Sequence, residues 1–448
     1  MHSIARLTNE QKLVIVILFA GLVLRVLFLQ SYAHPVVSPD TYGYNLVGNR
    51  ILKGEQPLLN DERTPVYPLF FKIVMNLSGR TNDRLDTVDF EKGAKNIAIF
   101  QMFVSLICSY IFYRALQLVS IHPILRYIGM FIYTSDFIIL SWDNALLTES
   151  LSISLMTAVL YLTLLVVKYN KWKYTFLLTL LLTIGYLLRP VFLVLPCCIY
   201  PILILKKQTL QKRIALVALG CITMIFPFLT YVINTRTYEY RGLNHITDIN
   251  VLGRLLKDKI PVESAKNNQF YSEVAKHIRG TNANSDPYYF LYTVDPTLLV
   301  RTNNRKELNE LKDFTDTVIH NQWPAYTVGA LRDIPSALGD PQNPIHKPEN
   351  LSFHEIWIPL YLLRNVLQYL FTFLPILISL LVIRLLFSHG TTQYFKQSLL
   401  TIISLVVGFT LSVVGGGYSD FQRLLSPITP LVYFMASSLT AIFPRNKS

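Results

Sequence analysis

Charge is what this sequence has least of. Asp, Glu, Lys and Arg make up 15% of its 448 residues, against roughly 25% in soluble domains. So little charge cannot clothe a water-soluble globule of this length, and that class is excluded. Cysteine is also scarce. The four present, Cys108, Cys197, Cys198 and Cys221, all fall inside apolar runs. The polar stretches hold none, which excludes a disulfide framework and a cysteine metal site. No internal repeat and no low-complexity tract is found. The net charge of +13 does not point to nucleic acid, because the bases flank apolar segments and form no continuous patch. They read as topology signals and as contacts for acidic membrane lipids.

What the chain has instead is hydrophobic length. Hydrophobic residues make up 52% of it and mean hydropathy is +0.37. The apolar runs predict an all-α polytopic membrane protein of about ten spans. The first, near Gln11 to Gln30, is followed by no small-residue cleavage site, so a retained helix is expected rather than a cleaved signal peptide. Arg6 and Lys12 precede it, which predicts a cytoplasmic N-terminus. Residues 1–233 read as an N-terminal transmembrane module with a long first external loop, 33–96. Residues 234–355 form the only large polar segment, expected outside as a small helical cap or loop domain. Residues 356–448 read as C-terminal transmembrane helices ending in a cytoplasmic basic tail.

One apolar stretch, Tyr174 to Leu205, has double length and is broken at Arg189-Pro190. It is either one long kinked helix or a hairpin of two short ones. The hairpin keeps Lys168, Lys171 and Lys173 on the same side as Lys206, Lys207, Lys212 and Arg213, as the positive-inside rule prefers. The residue before a proline is also pushed out of helical geometry. Arms of about 22 Å fall short of a hydrocarbon core of about 30 Å. The turn and Arg189 are therefore expected below the outer surface.

On this topology Asp40, Arg63, Tyr67, Asp143, Glu149, Arg189, Tyr418, Asp420 and Arg423 come out at external helix ends. The cytoplasmic ends carry mostly Lys and Arg, and no Gly-rich phosphate loop. Chemistry is therefore expected on the outer face. Each residue also has a plainer explanation. Asp40 suits the first turn of a helix capped by Ser38 with Pro39 at its first position. Glu149 could likewise be a first-turn acid, and Asp143 an interfacial one. Arg189 could snorkel, and Arg423 could anchor a helix end. Trp142, Trp323 and Trp357 read as interface belt.

The motifs in order add something these explanations lack. Asp40 after the first helix, then Arg63-Thr64-Pro65-Val66-Tyr67-Pro68, resembles the first external loop of the GT-C membrane glycosyltransferases. The likeness is to the branch of the protein mannosyltransferases and aminoarabinose transferases. Leu147-Thr148-Glu149, Leu187-Leu188-Arg189-Pro190 and the closing Asp420-Phe421-Gln422-Arg423-Leu424-Leu425-Ser426-Pro427 are similar to later motifs, although Leu424 stands where an aromatic is usual. Residues 234–355 lie outside the resemblance.

The resemblance implies a GT-C-like helix bundle in an inner or plasma membrane. It implies inverting transfer of a sugar from a polyprenyl-phosphate donor to a glycan, lipid or protein acceptor. Asp40 is implied as base, with Glu149 or Asp143 orienting it or the acceptor. Arg63, Arg189 and Arg423 are implied to hold the phosphate, with Tyr42, Tyr67 and Tyr418 among the substrate-binding residues. No cofactor is implied. Some families of the fold use a divalent metal at such acids, but no Asp-x-Asp pair is present here. The alternatives are a polyprenyl-linked oligosaccharide polymerase or ligase, which depends on large external loops with Arg and His, and a secondary transporter. The latter needs repeat symmetry and mid-membrane ionisable groups, neither of which the sequence displays.

Overall fold

In a computed structural model, the structure describes residues 8–31, 34–77, 88–119, 121–206, 208–280, 286–294, 306–339, 348–387 and 393–440. Among these, the only β pairing is an isolated bridge between Val36 and Ala145. Everything else regular is helix. The chain is an integral membrane protein. Five helices are long and apolar enough to cross a bilayer, or up to seven if each bent pair is one span.

The first half runs α1 (Asn9–Ser31), α2 (Pro39–Leu52), α3 (Val66–Leu77), α4 (Val88–Leu118), α5 (Pro123–Ser135), α6 (Phe137–Asp143), α7 (Glu149–Tyr169), α8 (Trp172–Leu188) and α9 (Val194–Leu205). Then come α10 (Leu210–Thr223) and α11 (Ile225–Thr237), which together form one span. The polar segment folds as α12 (His245–Lys257), α13 (Tyr271–Arg279), α14 (Pro287–Val294) and α15 (Lys306–Gly339). It has its own core, in which Leu252, Leu255, Phe290, Leu311 and Phe314 pack together. The chain ends with α16 (His354–Thr372), α17 (Leu374–Phe387), α18 (Gln393–Gly416), α19 (Phe421–Leu425) and α20 (Thr429–Thr440).

The double-length stretch is a hairpin. Arg189 is extended (φ −159°, ψ 124°), the geometry favoured for a residue before proline. Past it the chain turns back, and Thr179 of α8 hydrogen-bonds Tyr200 of α9 at 2.7 Å. At the far end Lys206 donates to the Val167 carbonyl and Lys212 to that of Asn170. Both basic clusters therefore share one end of the bundle. Lys207 lies outside the described residues.

Two apolar runs are bent. The apolar run from Pro123 is bent by 43° at Asp136. The Asp136 carboxylate caps α6, accepting from the Ile138 and Ile139 amides. That is a local competitor for the helix ladder. Arg364, 3.8 Å away, and the Tyr433 hydroxyl answer its charge. The run from His354 bends by 56° before α17. The polar segment is also less separate than its composition suggests. α15 kinks at Gln322 (φ −120°), and its last turns bring Ala337 and Leu338 into the main core with Phe371 and Leu374.

A buried ion pair fixes the bundle near its polar end. Arg25 of α1 lies 3.2 Å from Asp143 and donates to Ser105 Oγ and to the Gly21 and Thr134 carbonyls. Both side chains are buried. Arg25→Met should destabilise the protein by about 3 kcal/mol or more, because Asp143 is left charged and unpaired. The double variant Arg25→Met/Asp143→Leu should recover most of that loss. Thermal unfolding in detergent checks this, and a double variant no more stable than the single one would count against it.

Candidate functional site

The two candidate carboxylates are held by one scaffold. The segment before α2 pairs with the turn between α6 and α7: the Val36 amide donates to the Asn144 carbonyl and the Leu146 amide to that of Val36, both at 3.0 Å. Thr41, next to Asp40, donates its hydroxyl to the Leu146 carbonyl. Gln101 supports the turn from below, donating to the Asp143 and Ala145 carbonyls, and accepts from the Tyr67 hydroxyl. Asp40 on α2 and Glu149 at the start of α7 are thereby fixed relative to each other.

Three guanidiniums meet them. Asn60 accepts from the Glu62 and Arg63 amides, a side-chain-closed turn that aims Arg63 inward. Its guanidinium lies over the Tyr44 ring at 5.1 Å. A Cβ on Gly43 would sit 3.4 Å from it, in ordinary contact. Thr64 donates to the Leu188 carbonyl, which ties this loop to the hairpin turn bearing Arg189. Arg63 Nη2 then lies 2.6 Å from Asp40 Oδ1, and Arg423 Nη1 lies 3.0 Å from Asp40 Oδ2. Arg423 Nε is 3.5 Å from Glu149 Oε1, and Arg189 Nη2 is 3.2 Å from the same oxygen. Arg423 thus joins the two carboxylates, while Asp420 at 3.3 Å flanks it.

This group is not fully self-satisfied. Glu149 Oε2 and Arg189 Nη1 are buried with no hydrogen-bond partner among the described residues. Burial tends to raise the pKa of Asp40, but Arg63 and Arg423 outweigh it and hold the carboxyl below the usual carboxylate range. Asp40 is therefore ionised at neutral pH in this arrangement.

All five residues line one cleft of about 1220 Å³, together with Tyr418. The cleft continues past apolar Leu193 and Val194 on the hairpin side and past Tyr240, Asn244 and Asp248 on the polar-segment side. Three expected site residues are elsewhere. Asp143 is buried on Arg25 and accepts from Ser150 at 2.7 Å. Tyr67 is buried edge-on against Tyr44. Tyr42 is exposed, two residues and about 200° around the helix from Asp40. Among the described residues no three His, Cys, Asp or Glu side chains converge as a metal site would need.

Sequence reasoning missed Tyr288, on α14. It lines the cleft and stands close enough to Arg63, Tyr418 and Asp40 to feel their charges. No motif surrounds it. It also missed the ties between α12 and the first loop: His245 pairs with Asp61 at 3.2 Å, and Asn244 donates to the Glu62 carbonyl.

No protein-family model matches the chain, and no curated protein does. Among solved structures it is similar to the oligosaccharyltransferase AglB of Archaeoglobus fulgidus in complex with an inhibitory peptide and a dolichol-phosphate. That match has 11% identity and a TM-score of 0.47, covering 95% of this chain and 49% of that one. The apo form of the Archaeoglobus fulgidus oligosaccharyltransferase gives 11% identity and a TM-score of 0.48, covering 97% and 50%. ArnT from Cupriavidus metallidurans bound to undecaprenyl phosphate gives 13% identity and a TM-score of 0.36, covering 90% and 76%. The chain thus spans about half the length of the two archaeal structures.

Proposed function

We propose that this chain is a membrane-embedded glycosyltransferase that takes a sugar from a polyprenyl-phosphate donor at the non-cytoplasmic face. The observation that carries this reading is the cleft in which three arginines bracket Asp40 and Glu149. Guanidinium forks suit a phosphate leaving group, and a carboxylate beside them suits proton removal from an acceptor hydroxyl. The apolar side of the cleft, at Leu193 and Val194, suits a lipid tail.

The chemistry is a single inverting displacement. The acceptor oxygen bonds to the anomeric carbon as the bond from that carbon to the phosphate oxygen breaks. Asp40 takes the acceptor proton, and polyprenyl phosphate leaves with the electron pair, its charge held by Arg63, Arg189 and Arg423. In this arrangement both Asp40 oxygens face guanidiniums, which makes a weak base. An arriving phosphate competes for those cations. As they turn towards it, Asp40 loses opposite charge and its basicity rises. Donor binding thus switches on the base.

Oriented membrane vesicles carrying the protein test this. Label should pass from a polyprenyl-phosphate-linked sugar supplied in the bilayer to an acceptor outside, and not from a nucleotide sugar. Transfer from the nucleotide sugar alone, or acceptance only on the cytoplasmic side, would overturn the proposal.

A further inference from the structure

The cleft has two chemistries. At the Asp40 group the guanidinium and carboxylate charges are concentrated, and Arg189 Nη1 is uncommitted. Towards the polar segment each cation that lines the cleft has an anion of its own. Arg241 pairs with Asp313 at 2.6 Å and Lys312 with Asp316 at 2.8 Å. Asp248 accepts from the Tyr240 hydroxyl and lies near Lys312. Among the described residues, no cation lining that arm lacks a carboxylate partner. What is offered is neutral: the Thr247 hydroxyl and the half-buried Asn250 amide line the cleft, and neither is committed to a hydrogen bond within the described chain. Tyr288 adds an aromatic ring at the junction of the two regions.

We propose that this outer arm, built from Thr247, Asn250 and Tyr288, is the acceptor subsite, and that it takes a neutral, hydroxyl-bearing glycan end rather than a phosphorylated or carboxylated one. An amide and a hydroxyl suit the paired donors and acceptors of a sugar's hydroxyls. An aromatic ring suits the apolar face of a pyranose. A charged acceptor group would have to share those cations with the carboxylates already beside them, whereas a neutral one meets no such competition. The arm is also held in register with the reacting centre, because His245 and Asn244 tie α12 to the loop that carries Arg63. An acceptor hydroxyl reaching inward past Tyr288 arrives beside Asp40.

This inference rests on the proposed transferase reading, and one experiment separates the two. The full chain in nanodiscs loaded with undecaprenyl phosphate is offered lactose, diacetylchitobiose and maltotriose, with glucose 6-phosphate as the charged counterpart. Binding is read by saturation-transfer NMR. At least one neutral sugar should bind, and Thr247→Ala/Asn250→Ala should weaken it by about fivefold or more. Undecaprenyl phosphate affinity should stay within about twofold, since these residues do not touch the arginines. Tighter binding of glucose 6-phosphate at this arm, a neutral-sugar signal unchanged in the variant, or no sugar signal at all overturns the subsite. Failure of the wild-type chain to bind undecaprenyl phosphate overturns the transferase reading instead.

Discussion

Asp40→Asn should lower sugar transfer by roughly 10²-fold or more, with the protein still inserted and polyprenyl phosphate still bound. The change keeps shape and removes basicity. It also removes the charge that Arg63 and Arg423 now face. Both guanidiniums are then freer for phosphate, so donor affinity should hold or rise while turnover collapses. A residue that only caps α2 would give the opposite pattern, with small effects on transfer and a loss of stability. The pH dependence has a definite sign. The folded-state pKa of Asp40 is lowered, so its ion pairs contribute stability above the ordinary carboxylate range. That contribution is lost as pH falls through the lowered value. The acid limb of turnover, measured with donor bound, should lie higher than the acid limb of stability in the free protein, because phosphate draws the arginines off Asp40. Near wild-type transfer by Asp40→Asn removes this residue from the chemistry.

Arg423→Ala should cost about 2 kcal/mol or more in donor binding, a loss of about 30-fold. Among the described residues, Arg423 alone forms ion pairs with both Asp40 and Glu149. Its loss leaves Asp40 with Arg63 and Glu149 with Arg189, so the fold should survive. Arg423→Lys keeps the charge but not the planar fork, and should bind donor less well than wild type. Combining Arg423→Ala with Arg189→Ala should cost less than the separate losses added together, because both groups act on one phosphate. Isothermal titration with polyprenyl phosphate in nanodiscs reads all of these. Strictly additive losses, or unchanged affinity with falling stability, mark the arginines as anchors.

Much of this site was legible because its residues sit at punctuated helix ends. Ser38-Pro39 marks the start of α2 and Arg189-Pro190 the hairpin turn, where proline disfavours helical geometry in the residue before it. The hairpin was legible from charge, since Lys206 and Lys212 end up beside Val167 and Asn170 as the distribution of bases required. What stayed hidden depended on partners far away in sequence. Asp143 looks like an interfacial acid until Arg25 of α1 is placed beside it. The break at Asp136 follows from a carboxylate that caps one helix and is answered by Arg364 and Tyr433. Neither pairing leaves a local pattern. Tyr288 sits in an aromatic-rich helix of the polar segment, where nothing in the spacing separates a cleft-lining ring from a core one.

The most direct measurement is the position of a bound polyprenyl phosphate. The full chain in nanodiscs with undecaprenyl phosphate can be imaged by electron cryomicroscopy. The expected result is phosphate density between Arg63, Arg189 and Arg423, a tail running past Leu193 and Val194, and Asp40 released by at least one guanidinium. Phosphate bound away from these arginines, or bound among them with Asp40 still held by both Arg63 and Arg423, would contradict donor-triggered release of the base.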